Sequence, residues 1–523
     1  MPAPETAPWW RSGVVYQIYP RSFSDSDGDG VGDLEGVRQR LDHLSWLGID
    51  AIWLSPFYRS PMADFGYDVA DFCDVDPLFG DLAAFDRLLA EAHDRGIRVV
   101  VDLVPNHTSD QHPWFQASRR SREDPKRGWY VWRDGGGPSR PPNNWMAAFS
   151  EDPAWTWDPA TEQWYLHQFL PEQPDLNWDE PEVVEAIHGV MRFWLDRGVD
   201  GFRIDVVHCI GRDPSYPDDP PEWAGIPHCA INEHPSTHEH VRGLRRLVDS
   251  YPGDRMIVGE TALPGTHWVA PYYGAGDELH LAFNFAATHA PWDAATWRRR
   301  VERVVELLEP IGAWPTWVLS NHDVPRHRTR YGGSEARARA AAVAQLTQRG
   351  TPFLYAGDEL GLEDAVVPPG RVVDPGGRDG CRAPFPWTSD EPHGWGPDAW
   401  LPFPPEAATR AADGQRDDPG SVLHLYHRLL AARRASPALQ LGDLELLDAP
   451  AGVLAWRRRH PRADGTVDER TTAVSFLADP VAIPLQGEVE VASDGVGEGG
   501  PFSGELRPDS AVLLRGPGYS TSG

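Results

Sequence analysis

The stretch Gly201-Phe202-Arg203-Ile204-Asp205-Val206-Val207-His208 sets an arginine and an aspartate at alternate positions of an otherwise apolar run. Alternate residues of a strand share one face of the pleat, so Arg203 and Asp205 point the same way. Two readings stand. One is a structural ion pair; the other is chemistry, if the strand opens at its C-terminal end into a barrel mouth, where the cation would keep Asp205 ionised as a nucleophile requires. Other groups able to carry protons or bind hydroxyls end similar runs: Asp102, Asn106 and His107 in DLVPNH, Glu260 in VGET, and Asn321, His322 and Asp323 in SNHD. Singly, each has an ordinary explanation, because strand-end Asp and Asn cap helices and lone histidines pack. Together, at the ends of separate strands, they describe one rim.

A second set lies earlier, in Asp25-Ser26-Asp27-Gly28-Asp29-Gly30-Val31-Gly32-Asp33. Asp25, Asp27, Asp29 and Asp33 occupy positions one, three, five and nine of a calcium loop, with Gly30 at six and the Val31 carbonyl at seven. Gly36 stands where the bidentate glutamate of an EF-hand belongs, and no EF-hand helix precedes the loop. An all-oxygen set suits Ca²⁺ first and Mg²⁺ second, in a structural role; a solvated acidic turn is the alternative. His228, His234, His238 and His240 lack a close ligand spacing and read as a polar loop. No organic cofactor is implied.

The elements that must position these groups alternate. Strand candidates at residues 14–19, 49–54, 98–104, 201–207, 256–259, 279–285, 316–319 and 352–355 are separated by amphipathic stretches such as 34–47 and 82–95. Eight such units make an α/β fold, a (β/α)8 TIM barrel, over residues 1–107 and 174–436. Residues 108–173 are Trp-, Pro- and Gly-rich and too long for a plain βα loop, so they read as an inserted domain after strand three. After Ser436 helical periodicity stops. Residues 437–523 read as a C-terminal antiparallel β domain, a small sandwich.

Composition narrows the partners. With 48 basic and 78 acidic residues the formal charge is −30, which disfavours nucleic acid and anionic membranes. The 23 tryptophans suit the apolar faces of sugar rings as well as a core. The opening MPAPETAPWWRSG has no secretory pattern, and no apolar run is long enough to span a bilayer. The four cysteines, Cys73, Cys209, Cys229 and Cys381, show no CxxC spacing and read as free thiols of a cytoplasmic protein. A Cys209–Cys229 bridge is the minor alternative.

VYQIYPRSF (Val15 to Phe23), DLVPNH, GFRID, VGET and SNHD, in this order and separation, resemble the α-amylase superfamily, glycoside hydrolase family 13, across the whole barrel. QPDLN (Gln173 to Asn177) is similar to the form in its α-glucosidase and oligo-1,6-glucosidase branch. The resemblance implies Asp205 as nucleophile, Glu260 as acid/base and Asp323 as the carboxylate steadying the transition state. It implies Arg203, His107 and His322 around the reacting sugar, Tyr67 as its stacking platform, and Asp64 with Arg382 closing the far wall. It makes residues 108–173 domain B, the C-terminal sheet domain C, and the acidic loop a calcium site. Val206 looks like the residue of 1,6-preferring members. A lysine common soon after GFRIDVV is not evident, which leaves the acceptor side open. The expectation is a retaining exo-acting α-glucosidase on short malto- or isomalto-oligosaccharides. The alternatives are a glucosyltransferase or isomerase of the trehalose or isomaltulose type, and a non-catalytic binding barrel, whose relatives lack the full carboxylate set. Oligomeric state is not resolved by sequence.

Overall fold

The computed structural model describes residues 7–516, so the outermost residues of the barrel and C-terminal ranges expected above, 1–6 and 517–523, lie outside the described residues. Eight parallel strands form one sheet: β1 Val15–Ile18, β2 Ala51–Leu54, β3 Arg98–Leu103, β4 Gly201–Ile204, β5 Met256–Gly259, β6 Leu281–Ala282, β7 Thr316–Val318 and β8 Thr351–Tyr355. Their order runs β6-β5-β4-β3-β2-β1-β8-β7. β6 is shorter than the sequence implies, and the ladder lapses between it and β7. There the Thr316 side chain replaces it, its Oγ1 donating to the Ala282 carbonyl and accepting from the Asn284 amide, both at 2.9 Å.

Side-chain alternation explains the barrel. Val15, Trp53, Val100, Val258, Leu281, Val318 and Phe353 face inward into one cluster that Trp9 and Trp10 plug from below. Tyr16, Ile52, Val99, Val101, Phe202 and Ile257 face outward under the helices. Gly201 opens β4 because its neighbour is too close for a side chain: a Cβ there would meet the Met256 carbonyl oxygen at 2.1 Å. The expected helix over 34–47 is two helices, Leu34–Gln39 and Leu41–Leu47, broken at Arg40.

Between β3 and β4 the chain builds helix Pro113–Arg120 and a three-stranded antiparallel sheet from Trp132–Arg133, Gln163–Leu166 and Trp155–Asp158. Isolated bridges His107↔Asp175 and Tyr130↔Leu176 tie this unit to the barrel rim. At the C-terminus one more helical turn, Pro437–Leu441, precedes a five-stranded antiparallel sheet. Its strands are β9 Asp443–Leu447, β10 Val453–Pro461, β11 Val467–Ser475, β12 Glu488–Ala492 and β13 Ala511–Arg515. One face, through Leu454, Trp456, Val474 and Leu513, joins the barrel core. The other, through Ala455, Ala473, Val512 and Leu514, is covered partly by a ribbon of Val481–Ala482 with Glu505–Leu506. The second layer of the expected sandwich is thus only two residues per strand. Among the described residues no helix is long and apolar enough to cross a membrane.

Candidate active site

Strand register builds the site. β3 and β4 pair with Asp102 opposite Arg203, and β4 pairs with β5 so that Gly259 lies opposite Ile204. Asp205 and Glu260 therefore leave adjacent strand ends. Arg203, buried beneath them, donates from Nη1 to Asp205 Oδ1 at 2.6 Å and to Asp102 Oδ1 at 2.8 Å, and from Nη2 to Glu260 Oε2 at 2.7 Å. One guanidinium fork holds both carboxyls side by side.

The turn after Asp205 is strained. Val206, β-branched, has φ +32, a left-handed conformation that costs about 1–3 kcal/mol. The turn aims the Val206 amide at Glu260 Oε2, 3.2 Å away, while the Val207 amide donates to the Glu260 carbonyl at 3.1 Å. The strained turn thereby fixes Glu260 against Asp205.

Electrostatics correct one expectation. Burial pushes the Asp205 carboxyl up; Arg203 opposes this, and Glu260, Asp102 and Asp323 add to the rise. Asp102 is pushed up to about 6 by burial, against the pull of the same guanidinium. Arg203 does not simply hold Asp205 ionised, because three carboxyls share its one charge. Asp323 is different. Burial would raise it, but the guanidiniums of Arg378 and Arg382, beside His322, hold it well below the ordinary carboxylate range.

Asp205, Glu260 and Asp323 line a cavity of about 290 Å³ with Asp64, Tyr67, His107, Val206, His208, Phe149, Phe169 and Arg378. Tyr67 stacks on His322 with ring centroids 5.4 Å apart, and its hydroxyl meets His322 Nε2 at 2.6 Å. His322 Nδ1 faces Gln17 Nε2 at 2.7 Å, so both imidazole nitrogens are engaged and His322 stands behind the cavity wall. His107 reaches the cavity beside Gln173, 3.1 Å away. Burial lowers His107 and His322 to about 3, so both are neutral imidazoles.

Asp64 does not pair with Arg382. Its Oδ1 takes Arg378 Nη2 at 2.6 Å and its Oδ2 takes Gln173 Nε2 at 3.1 Å. Arg378 also reaches Asp323 at 3.1 Å and Asp374 at 2.7 Å, with its guanidinium over the Phe149 ring at 4.6 Å. Arg382, fully buried, binds the His322 carbonyl at 2.8 Å and Asp374 at 3.1 Å, and touches Asp323 at 3.2 Å. It braces the wall that Arg378 forms. Sequence reasoning missed Arg378 although it lies four residues before Arg382 in the same motif, and missed Phe149, Phe169 and His208. The QPDLN motif acts through Gln173 on Asp64 and through Asp175, which accepts from Arg212 at 2.8 Å and Asn106 at 3.1 Å.

The segment after β4 forms the other side of the mouth. His228 stacks on Trp145 at 3.4 Å and meets Asp219 at 2.9 Å. His238 lies between Glu278 and Glu233, at 2.7 and 3.0 Å. His234 caps helix Pro235–Asp249, and His240 packs on Trp178. The four histidines thus have separate partners. Cys209 and Cys229 are free thiols, with the Cys209 sulfur 3.7 Å from the Cys229 carbonyl.

In the acidic loop, Asp25, Asp27 and Asp29 bring ligand oxygens within 4.8 Å of one another. Asp33 is turned away: it caps helix Leu34–Gln39 through the Gly36 amide at 2.6 Å and accepts from Ser26. The Val31 amide donates to Asp29 at 2.8 Å. Burial, then the neighbouring acids, push Asp29 up, opposed by that amide. A hard cation would relieve this crowding, so the three carboxylates fit one and Asp33 does not join them.

This geometry has counterparts. The family model for the alpha amylase catalytic domain matches residues 17–442. A probable alpha-glucosidase of Rhizobium meliloti (strain 1021) is 43% identical over 491 residues, covering 86% of this chain and 87% of that protein. An oligo-1,6-glucosidase of Parageobacillus thermoglucosidasius is 37% identical over 493 residues, covering 84% and 86%. Of solved structures, the alpha-glucosyl transfer enzyme XgtA aligns with TM-score 0.88 at 41% identity, over 98% of this chain and 100% of that one. The trehalulose synthase MutB from Pseudomonas mesoacidophila MX-45 aligns with TM-score 0.89 at 35% identity, over 98% and 100%. A family match through nearly all of the barrel, around carboxylates gathered at one mouth, means that the chain belongs to the α-amylase family and is a glycoside hydrolase.

Proposed function

We propose that this enzyme is a retaining, exo-acting α-glucosidase that releases glucose from the non-reducing end of short malto- or isomalto-oligosaccharides. The observation that carries the reading is the Arg203 fork joining Asp205 to Glu260 in a small cavity whose far end is shut by the Asp64–Arg378 pair. At about 290 Å³ the cavity is at the small end of ligand sites, consistent with one terminal sugar and not a through-running chain. The glucosidase relatives favour the same substrate class.

In the first step an Asp205 oxygen attacks the anomeric carbon. The glycosidic carbon–oxygen bond breaks, and Glu260 gives its proton to the leaving oxygen. Glu260, now a carboxylate, then takes a proton from water as that water displaces Asp205, so two inversions give net retention. Arg203 orients both carboxyls, the ionised Asp323 grips sugar hydroxyls and supports the developing positive charge, and Tyr67 offers its ring face. Initial-rate NMR on maltose and isomaltose tests this: α-glucose must appear first, and β-glucose first would refute retention. Val206→Thr should change the 1,6-to-1,4 rate ratio by about 10-fold or more, since a group of this size is worth about 1–3 kcal/mol of discrimination.

A second reading, glucosyl transfer or isomerisation, draws on the solved relatives XgtA and MutB and on a cleft of about 490 Å³ beside the mouth that includes Trp145, Trp223 and Trp268. Products from sucrose separate the two, because new disaccharides favour transfer and free glucose favours hydrolysis. The acidic loop is assigned to Ca²⁺, or Mg²⁺, held by Asp25, Asp27 and Asp29 with the Val31 carbonyl. The cation's contribution is structural, tying the loop to residue 396, whose amide donates to Asp25 at 2.8 Å. A chelator should lower Tm and added Ca²⁺ restore it; an unchanged Tm would remove the assignment. Four free thiols favour a cytoplasmic workplace.

A further inference from the structure

Past Glu260 the catalytic cavity adjoins a larger one of about 690 Å³, and the two share Ala230 and Ala262 in their walls. Its lining runs against the character of a chain with formal charge −30. Arg299, Arg300 and Arg303, all on helix Ala294–Leu308, face it together with His267, His289 and Asn284. Arg300 leans on the Ala286 and His289 carbonyls, and Arg299 donates to Thr296 Oγ1 at 2.9 Å. Arg303 has Glu306, 3.2 Å away on the outer side of the helix. Crowding follows: burial lowers Arg300, and Arg299 and Arg330 lower it further.

Asn284 adds an independent sign. It is only 2% exposed, and its Oδ1 accepts from the Ala286 amide at 3.3 Å, which fixes the amide's orientation. Its Nδ2 lies buried at this wall with no hydrogen-bond partner among the described residues. A buried donor left without an acceptor costs about 1–3 kcal/mol, which a ligand acceptor would recover. The lining carries three guanidiniums and no carboxylate, beside hydroxyls and imidazoles that can accept as well as donate. A cation would be repelled there, and an anion would meet charged donors with no carboxylate to oppose it.

We propose that this cavity is an aglycone subsite for an anionic group, a carboxylate or phosphate ester carried by the moiety that leaves with Glu260's proton. The inference rests on the α-glucosidase reading, because Glu260 defines the leaving side. In a strongly acidic protein an anionic substrate is repelled at long range, so a local cluster of cations in a cavity whose own lining holds no carboxylate is what would admit it.

The test compares kcat/KM within two substrate pairs. One is an aryl α-glucoside with a carboxylate or its methyl ester on the aryl ring. The other is an α-linked glucose disaccharide with or without a phosphate on its reducing-end 6-hydroxyl. The charged member of at least one pair should be favoured about tenfold at low salt, and high salt should remove most of the preference. Which pair responds identifies the anion. The double variant Arg299→Gln/Arg303→Gln should bring the charged-to-neutral ratio toward one, while Arg299→Lys/Arg303→Lys should retain much of it. A wild-type ratio at or below one in both pairs, or a ratio untouched by the glutamine variant, overturns the subsite. Failure of the wild type to hydrolyse the neutral members would strike the α-glucosidase reading itself.

Discussion

The closed end of the catalytic cavity and the wall beyond Glu260 handle arginine in opposite ways. At the closed end Arg378 meets Asp64, Asp323 and Asp374, Arg382 meets Asp323 and Asp374, and Arg203 meets Asp102, Asp205 and Glu260. Beyond Glu260, Arg300 is held by backbone carbonyls and Arg299 by a hydroxyl, and of the three arginines there Arg303 alone meets a carboxylate, Glu306 at 3.2 Å. Carbonyl dipoles fix a guanidinium in place without cancelling its charge, whereas carboxylates do both. Arginines of the first kind position other groups; those of the second kind keep their charge for a ligand. One residue type thus serves as framework on one side of the scissile bond and as receptor on the other.

The largest effect should come from Glu260, at the junction of the two regions. Glu260→Gln keeps the hydrogen bonds from Arg203 and the shape of the site but removes the proton to be donated. Loss of general acid catalysis should lower kcat/KM on maltose by about 10²–10⁴. An aryl glucoside whose leaving group departs as a stable anion should suffer far less in its first step. Equal losses on both substrates would mean that Glu260 acts in some other way.

Next in size is a contrast inside the closed end. Arg378→Ala leaves Asp64 buried and unpaired, and truncating one partner of a buried charge pair costs about 2–5 kcal/mol. Because Arg378 lines the cavity, that cost should appear in kcat/KM for the terminal glucose. Arg382→Ala should appear first in Tm, because Arg382 holds the His322 carbonyl and Asp374 behind the wall. If the Arg382 variant lost rate at unchanged Tm while the Arg378 variant kept its rate, the assignment of the two arginines would have to be exchanged.

That exchange is the error the sequence invites. The carboxylates were legible because each ends an apolar run that can only be a strand, and strand ends of a parallel barrel share one mouth. Arg378 and Arg382 sit four residues apart in RDGCR, in a loop with no period to say which faces inward. Phe149 was hidden for a related reason: it has φ +69 in a Trp- and Pro-rich stretch, a conformation imposed by tertiary contacts. The seven apolar-rich residues 279–285 read as one strand, yet β6 pairs over two, because Thr316 bridges the seam with its side chain. Arg40 breaks a helix that its amphipathic pattern would have continued. The Arg299/Arg300/Arg303 cluster was unremarkable on a surface helix until the fold set it beside Glu260's loop.

The smallest effect concerns the contact between the segment after β4 and the loop before β6. His238 donates to Glu278 and Glu233, and Arg242 also reaches Glu278 at 2.7 Å. The hydrogen bond to Glu278 raises His238 against the opposing effect of burial, and Glu233 raises it further. A histidine whose folded pKa exceeds its unfolded value of about 6.5 binds its proton more tightly when folded. Its stabilisation is fully present below about 6.5 and is lost as pH rises through the raised folded value. The pair is partly exposed and worth at most about 1 kcal/mol. The Tm advantage of wild type over His238→Gln should therefore be greatest in mildly acidic buffer and shrink with rising pH. An advantage that grew with pH would mean that the neutral imidazole holds this contact, through packing against Tyr272, 4.8 Å away, in place of charge.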